Sequence, residues 1–121
     1  MSKTILFVYG TLKRGQKNAH MLASQEFLGA ATTMPLYRLY HFGWHPGMVL
    51  DTDNGLDVKG ELYAVDHETL AKLDEYEGLA TGWYVRADVA VRDCFETVQA
   101  YFFNQSLPSG AASGAEWPFE M

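Results

Sequence analysis

Hydrophobic and polar positions follow two periods along this chain, and the points where the period changes mark its elements. Residues 3–10, "KTILFVYG", form a continuous apolar run closed by glycine, the pattern of a buried first strand. "KNAHMLASQ" predicts a short helix with Asn18 as its cap and with Met21 and Leu22 facing inward. Short β-like pieces follow between Phe27 and Leu50, "EFLGAATT", "PLYRLY" and "GMVL", interrupted by Pro35, Gly43 and Pro46. "DTDNG" has turn chemistry, with Asn54-Gly55 the favoured hairpin pair. "VKGELYAVD" alternates and predicts a strand. In "DHETLAKLDEYEG" the period becomes helical: Asp66 caps, Leu70, Leu73 and Tyr76 share a face, and Gly78 stands where a helix-ending glycine belongs. "WYVRADVAVR" and "ETVQAYFFN" predict a final hairpin around Asp93. Residues 105–121 are rich in Ser, Gly, Ala and Pro and are expected to be an irregular tail, with Trp117 and Phe119 as anchors against the body. Many strands and two short helices predict one α+β domain over residues 1–121, built on a mixed, mostly antiparallel sheet or small barrel.

Composition narrows the function more than the fold. At 121 residues, 48% hydrophobic and 14% aromatic, the chain can bury a core without staples. A single cysteine, Cys94, makes no internal disulfide, and no signal peptide precedes the first strand, so a cytoplasmic location is expected. "TILFVYG" is too short to cross a bilayer, which argues against a membrane partner. A net charge of −6 argues against a nucleic-acid partner, leaving Lys13, Arg14 and Lys17 as the one basic patch. Those three residues are expected to contribute mainly solvation.

That patch lies in the loop with the most suggestive spacing. Gly10 and Gly15 have the G-x-x-x-x-G interval of a phosphate loop, but Gln16 and Lys17 replace the Lys-Ser/Thr that would reach a nucleotide and its Mg²⁺. A strand running into Tyr-Gly-Thr-Leu also suits a nest of backbone N–H groups around another anion. From the residues alone, a plain turn and an anion nest both stay open. His41 and His45 are four apart, yet Gly43 and Pro46 rule out a helix there and no third ligand is near, so no metal is expected. The acids of "LDEYEG" crowd a helix C-terminus, where the macrodipole disfavours negative charge. Asp74 and Glu75 are expected to be solvated. Glu77, pressed by those neighbours and the helix end, is a candidate general base with a raised pKa. Trp83 and Tyr84 would wall such a site and Arg86 would supply charge.

Read in order, "FVYGTLKRGQKNAHML", "HPGMVL", "VKGELYAVDHETLAKLDEYEG", "WYVR" and the ending "SGAEW" resemble the γ-glutamylcyclotransferase superfamily, and most closely its γ-glutamylamine cyclotransferase-like branch. The resemblance implies a small mixed sheet curled into a barrel-like body with flanking short helices and a cavity at one end. It implies a reaction without metal or cofactor: the α-amine of a γ-glutamyl group attacks its own γ-carbonyl, closing 5-oxoproline and expelling an amine. Carried onto this chain, it makes Glu77 the general base. Tyr9, Gly10, Thr11 and Leu12 would bind the γ-glutamyl part of a small-molecule substrate, and Tyr84 would complete the binding site. Two positions depart from the pattern: His45 stands where relatives often have Tyr or Phe, and Phe103 where they often have Tyr. The competing expectation is a non-catalytic protein of the same fold that binds γ-glutamyl compounds or other carboxylates.

Overall fold

The structure, a computed structural model, describes residues 3–41, 46–107 and 109–118. The elements run β1 (Thr4–Val8), a 3-10 turn (Ala19–Leu22), β2 (Glu26–Thr32), β3 (Tyr37–His41), β4 (Pro46–Leu50), β5 (Lys59–Val65), α1 (His67–Tyr76), a second 3-10 turn (Leu79–Thr81), β6 (Tyr84–Asp88), β7 (Val98–Phe103) and β8 (Ser113–Gly114). All eight strands join one curled mixed sheet in the order β2-β5-β1-β7-β4-β3-β8, with β6 added on β7. Five pairings are antiparallel, and two, β1 with β7 and β4 with β7, are parallel. The α+β expectation holds, with α1 as the α-helix among the described residues and a 3-10 turn where the first helix was expected.

β1 is apolar without alternation because both of its faces are covered. Leu6 and Val8 join Leu70 and Leu73 of α1 in one buried cluster, while Phe7 and Tyr9 join Leu39 and Met48 in the other. The sheet divides where β1 ends. Along β7, Val98 and Gln99 pair with β1, but Phe102 pairs with β4. At this divergence the Tyr9 hydroxyl donates to the Tyr101 carbonyl (2.6 Å) and accepts from the Met48 amide (3.2 Å), so a side chain bridges the two strands. The functional site opens beside this split.

α1 begins and ends by local chemistry. The Asp66 Oδ1 accepts the Thr69 amide at 2.8 Å, and Gly78 takes the left-handed conformation (φ 72°) that lets the chain leave the helix. Leu70 and Leu73 are buried as expected, but Tyr76 is 45% exposed and not part of the core. The turn "DTDNG" forms, with the Asn54 amide donating to Asp51 Oδ1 (2.9 Å), yet it is not a hairpin: β4 and β5, which it joins, do not pair. Instead the segment folds back on β3, where the Leu56 amide donates to the Tyr37 carbonyl at 2.7 Å. The final hairpin forms as expected, turning at Asp93 with φ 57°.

The tail is more regular than its composition suggests. β8 pairs with β3, the Lys59 amide donates to the Ala115 carbonyl (2.8 Å), and Trp117 is buried in the core. Trp117 is therefore an anchor, and Phe119 lies outside the described residues.

Candidate active site

A cavity of about 410 Å³ opens at the end of β1. Five parts of the chain wall it: the end of β1 with loop 10–12, Pro46 at the start of β4, residues 76–78 ending α1, Trp83 and Tyr84 at β6, and Tyr101 on β7. Every residue expected in the site, Tyr9, Gly10, Thr11, Leu12, Glu77 and Tyr84, lines this one cavity.

The loop is shaped by close approach. A Cβ on Gly10 would lie 2.6 Å from Pro46 Cγ, far inside contact distance, so only glycine lets the loop pass β4 here. Its φ is not in the left-handed region, so clearance rather than backbone freedom is what requires glycine. Asn18 then ties the loop down: its amide donates to the Thr11 carbonyl (2.9 Å), and its side-chain Nδ2 donates to Thr11 Oγ1 (3.1 Å) and to the Tyr76 hydroxyl. Asn18 was expected to cap a helix. Its side chain makes no cap bond and couples the loop to the end of α1 instead. The amides of Gly10, Thr11 and Leu12 meet no acceptor among the described residues. A loop of donors without partners on a cavity wall fits an anionic ligand group.

Glu77 follows the last residue of α1 and is the one charged side chain among the described residues lining the cavity. Burial pushes its carboxyl up to about 7. The expected direction is correct, and of the expected causes it is shielding within the cavity, not repulsion from Asp74 and Glu75, that acts. Glu75 is exposed, and Asp74 is partly buried and ion-paired rather than freely solvated. Arg86 grips Asp74 with both ends of its fork, Nε to Oδ1 at 2.9 Å and Nη2 to Oδ2 at 3.0 Å, and the Tyr101 hydroxyl donates to Oδ1 at 2.6 Å. Burial alone would raise the Asp74 pKa, but these partners outweigh it and hold the group below its usual range. Arg86 is thus engaged with Asp74 and Gln99 and does not line the cavity.

Three of the phenols lining the cavity, Tyr9, Tyr84 and Tyr101, have committed their protons. Carbonyls and carboxylates only accept, so Tyr9 donates to the Tyr101 carbonyl, Tyr84 to the Pro46 carbonyl (3.0 Å) and Tyr101 to Asp74. Burial is the largest cause that pushes all three phenols well above their ordinary range, followed by Tyr84 at Tyr9, by Glu77 at Tyr84 and by Asp74 at Tyr101.

Sequence reasoning did not place Tyr76 or Tyr101 in the site. Tyr76 fell on the helical period of the core, and Tyr101 was marked only as the aromatic that precedes Phe103 in the pattern of the last strand. Phe103 packs edge-on against Tyr84, ring centroids 5.6 Å apart, and His45 lies outside the described residues. His41 Nδ1 accepts from Trp117 Nε1 at 3.3 Å, and no group of three potential metal ligands occurs among the described residues.

Comparison with known proteins shows the family and the fold. The family model described as "Gamma-glutamyl cyclotransferase, AIG2-like" matches residues 6–118. The γ-glutamylaminecyclotransferase of Rattus norvegicus is 37% identical over 94 residues, covering 72% of this chain and 62% of the rat protein. The solution structure of protein ytfP from Escherichia coli superposes with a TM-score of 0.71 at 29% identity, covering 95% of this chain and 96% of that one. The crystal structure of a mouse aig2-like protein does so with a TM-score of 0.71 at 29% identity, over 88% of this chain and 79% of that one. From the paired core of β1 to the anchored tail, the chain belongs to the γ-glutamyl cyclotransferase, AIG2-like family.

Proposed function

We propose that the protein is a cyclotransferase that converts a γ-glutamyl amine into 5-oxoproline and the free amine. The observation that carries this reading is Glu77: a lone carboxylate with a pKa of about 7, in a cavity also lined by Gly10, Thr11 and Leu12, whose amides meet no acceptor among the described residues. In the reaction the substrate α-amine attacks its own γ-carbonyl carbon, forming the ring C–N bond. Glu77 takes a proton from the amine, and the carbonyl oxygen becomes an oxyanion that loop amides can stabilise. When the intermediate collapses, the bond to the leaving nitrogen breaks and Glu77 returns the proton to that nitrogen. Holding the glutamyl chain folded supplies much of the acceleration, because ring closure is intramolecular.

The leaving group is read from charge. The described lining residues include no Lys or Arg, so a carboxylate on the leaving side would sit near Glu77 without a counter-charge. An amine without a carboxylate suits the cavity better than a peptide acid. Trp83, 55% exposed, and Tyr76 offer aromatic surface for its carbon chain. Trp83→Ala is expected to raise KM for an alkylamine leaving group by roughly 3–30-fold, the worth of one or two buried methylenes, with kcat nearly unchanged. Steady-state kinetics with γ-glutamyl alkylamines of increasing length checks this.

The basic patch stays outside the site. Lys13 Nζ donates to the Trp117 carbonyl, the Arg14 guanidinium stacks 3.8 Å from the Phe27 ring centroid, and none of Lys13, Arg14 or Lys17 lines the cavity. Changing all three to Gln is expected to keep turnover within about tenfold of wild type. Tight ATP binding abolished in that variant would contradict the reading.

The direct test is release of 5-oxoproline across a panel of γ-glutamyl amines and peptides. Turnover is expected on amines in preference to peptide acids. Ligand binding without turnover of any member would make the protein a binding protein of this fold.

A further inference from the structure

Four tyrosines line the cavity among the described residues, and three of them donate their protons to acceptors of the protein itself. Tyr76 is bonded in the opposite sense. Its hydroxyl accepts from Asn18 Nδ2 at 2.5 Å, and the same nitrogen donates to Thr11 Oγ1 at 3.1 Å. A side-chain amide nitrogen carries two hydrogens, so one goes to each hydroxyl oxygen. A hydroxyl that accepts in this way keeps its single proton for another partner. Asn18 is itself fixed to the loop, because its backbone amide donates to the Thr11 carbonyl at 2.9 Å. Two hydroxyls from different walls of the cavity, the loop after β1 and the end of α1, are thereby tied to one nitrogen with their protons available.

The proposed reaction has a need that these donors meet. A γ-glutamyl group carries an α-carboxylate, and the described lining residues include no Lys or Arg to pair with it. The loop amides serve the oxyanion of the γ-carbonyl. A carboxylate that leaves water without a cation beside it must be held by several hydrogen-bond donors. We propose that the hydroxyls of Thr11 and Tyr76 bind the α-carboxylate of the γ-glutamyl group, and that Asn18 is the positioning residue that keeps their protons free for it. Tyr76 is the last residue of α1 and Glu77 follows it directly. The group that seats the substrate and the group that takes its proton are thus fixed to one helix end.

This assignment rests on the γ-glutamyl ligand of the proposed function, but its test does not require turnover. Calorimetric titration compares 5-oxoproline, which retains the α-carboxylate, with its carboxamide, which does not. Tyr76→Phe is expected to weaken 5-oxoproline binding by roughly 10–100-fold, the worth of a hydrogen bond to a charged group, and carboxamide binding by clearly less. Thr11→Val, which keeps the shape and removes the hydroxyl, is expected to show the same contrast. Asn18→Asp presents an acceptor to both hydroxyls and draws their protons away from the ligand. It is expected to melt at about the wild-type temperature and to lose 5-oxoproline affinity at least as far as Tyr76→Phe does. A bridge with a structural role alone would survive in Asn18→Asp and leave 5-oxoproline affinity intact. That result, or equal weakening of both ligands by Tyr76→Phe, overturns the proposal. Failure of the wild-type protein to bind 5-oxoproline would instead overturn the γ-glutamyl reading, and this inference with it.

Discussion

Glu77→Gln is expected to lower 5-oxoproline release by roughly 10²–10⁴-fold, the usual worth of a positioned acid–base group, while fold and ligand affinity survive. Glutamine keeps the shape and volume of the side chain but accepts no proton. Glu75→Gln, two residues earlier and exposed, is expected to change little. The wild-type pH profile gives an independent check. A base must be unprotonated, so kcat/KM is expected to fall as pH drops through about 7, the Glu77 midpoint. Near-normal release by the folded Glu77→Gln protein, on a substrate that wild type turns over, would end this mechanism.

Stability should move with opposite sense. The Glu77 pKa is raised from 4.5 to about 7 on folding, so the folded chain holds this proton more tightly than the unfolded chain. The stability contributed by the protonated form is complete below 4.5 and is lost as pH rises through 7. A shift of this size corresponds to at most about 3 kcal/mol, and solvent reaching the carboxylate through the cavity lowers that. Glu77→Gln is therefore expected to unfold at a higher temperature than wild type at pH 8 and at about the same temperature at pH 4. Thermal melts at the two pH values measure the difference.

Gly10→Val is expected to weaken binding of a γ-glutamyl ligand by at least about tenfold, with a loss of stability of about 1–3 kcal/mol from overpacking. The clash is with a ring that has little room to move: the new Cβ meets Pro46 Cγ at 2.6 Å and Cδ at 3.1 Å, and the Pro46 carbonyl is held by the Tyr84 hydroxyl. The loop must therefore retreat and take the Thr11 and Leu12 amides with it. Thr11→Ser keeps the hydroxyl that receives Asn18 Nδ2 and is expected to be mild. Calorimetric titration of both variants separates the effects. Unchanged affinity in a folded Gly10→Val protein would remove the loop from the binding site.

Much of the architecture was legible because its causes are local. The unbroken apolar run of β1, the Asp66 cap and Gly78 ending of α1, and the turn at Asp93 depend on residues within a few positions of one another. The same locality misled at Tyr76, whose helical spacing matches Leu73 but whose hydroxyl meets Asn18 at the cavity mouth. It misled again at "DTDNG", where turn chemistry was read correctly and its strands were not, because pairing is chosen by distant partners.

The sequence by itself therefore determined most of the strands and α1, the glycine loop, and the acid at the end of the helix, through propensity, capping and the family resemblance of those motifs. Only the tertiary structure decided how they act. It set β7 between two parallel neighbours, placed Pro46 over Gly10, and turned Asp74 from a solvated charge into the partner of Arg86 and Tyr101. It also selected burial, from among the expected causes, over like-charge repulsion as the origin of the raised Glu77 pKa. The physical reason is common to all of these: desolvation and ion pairing depend on which groups meet in space, and here those groups lie 12 or more residues apart in the chain.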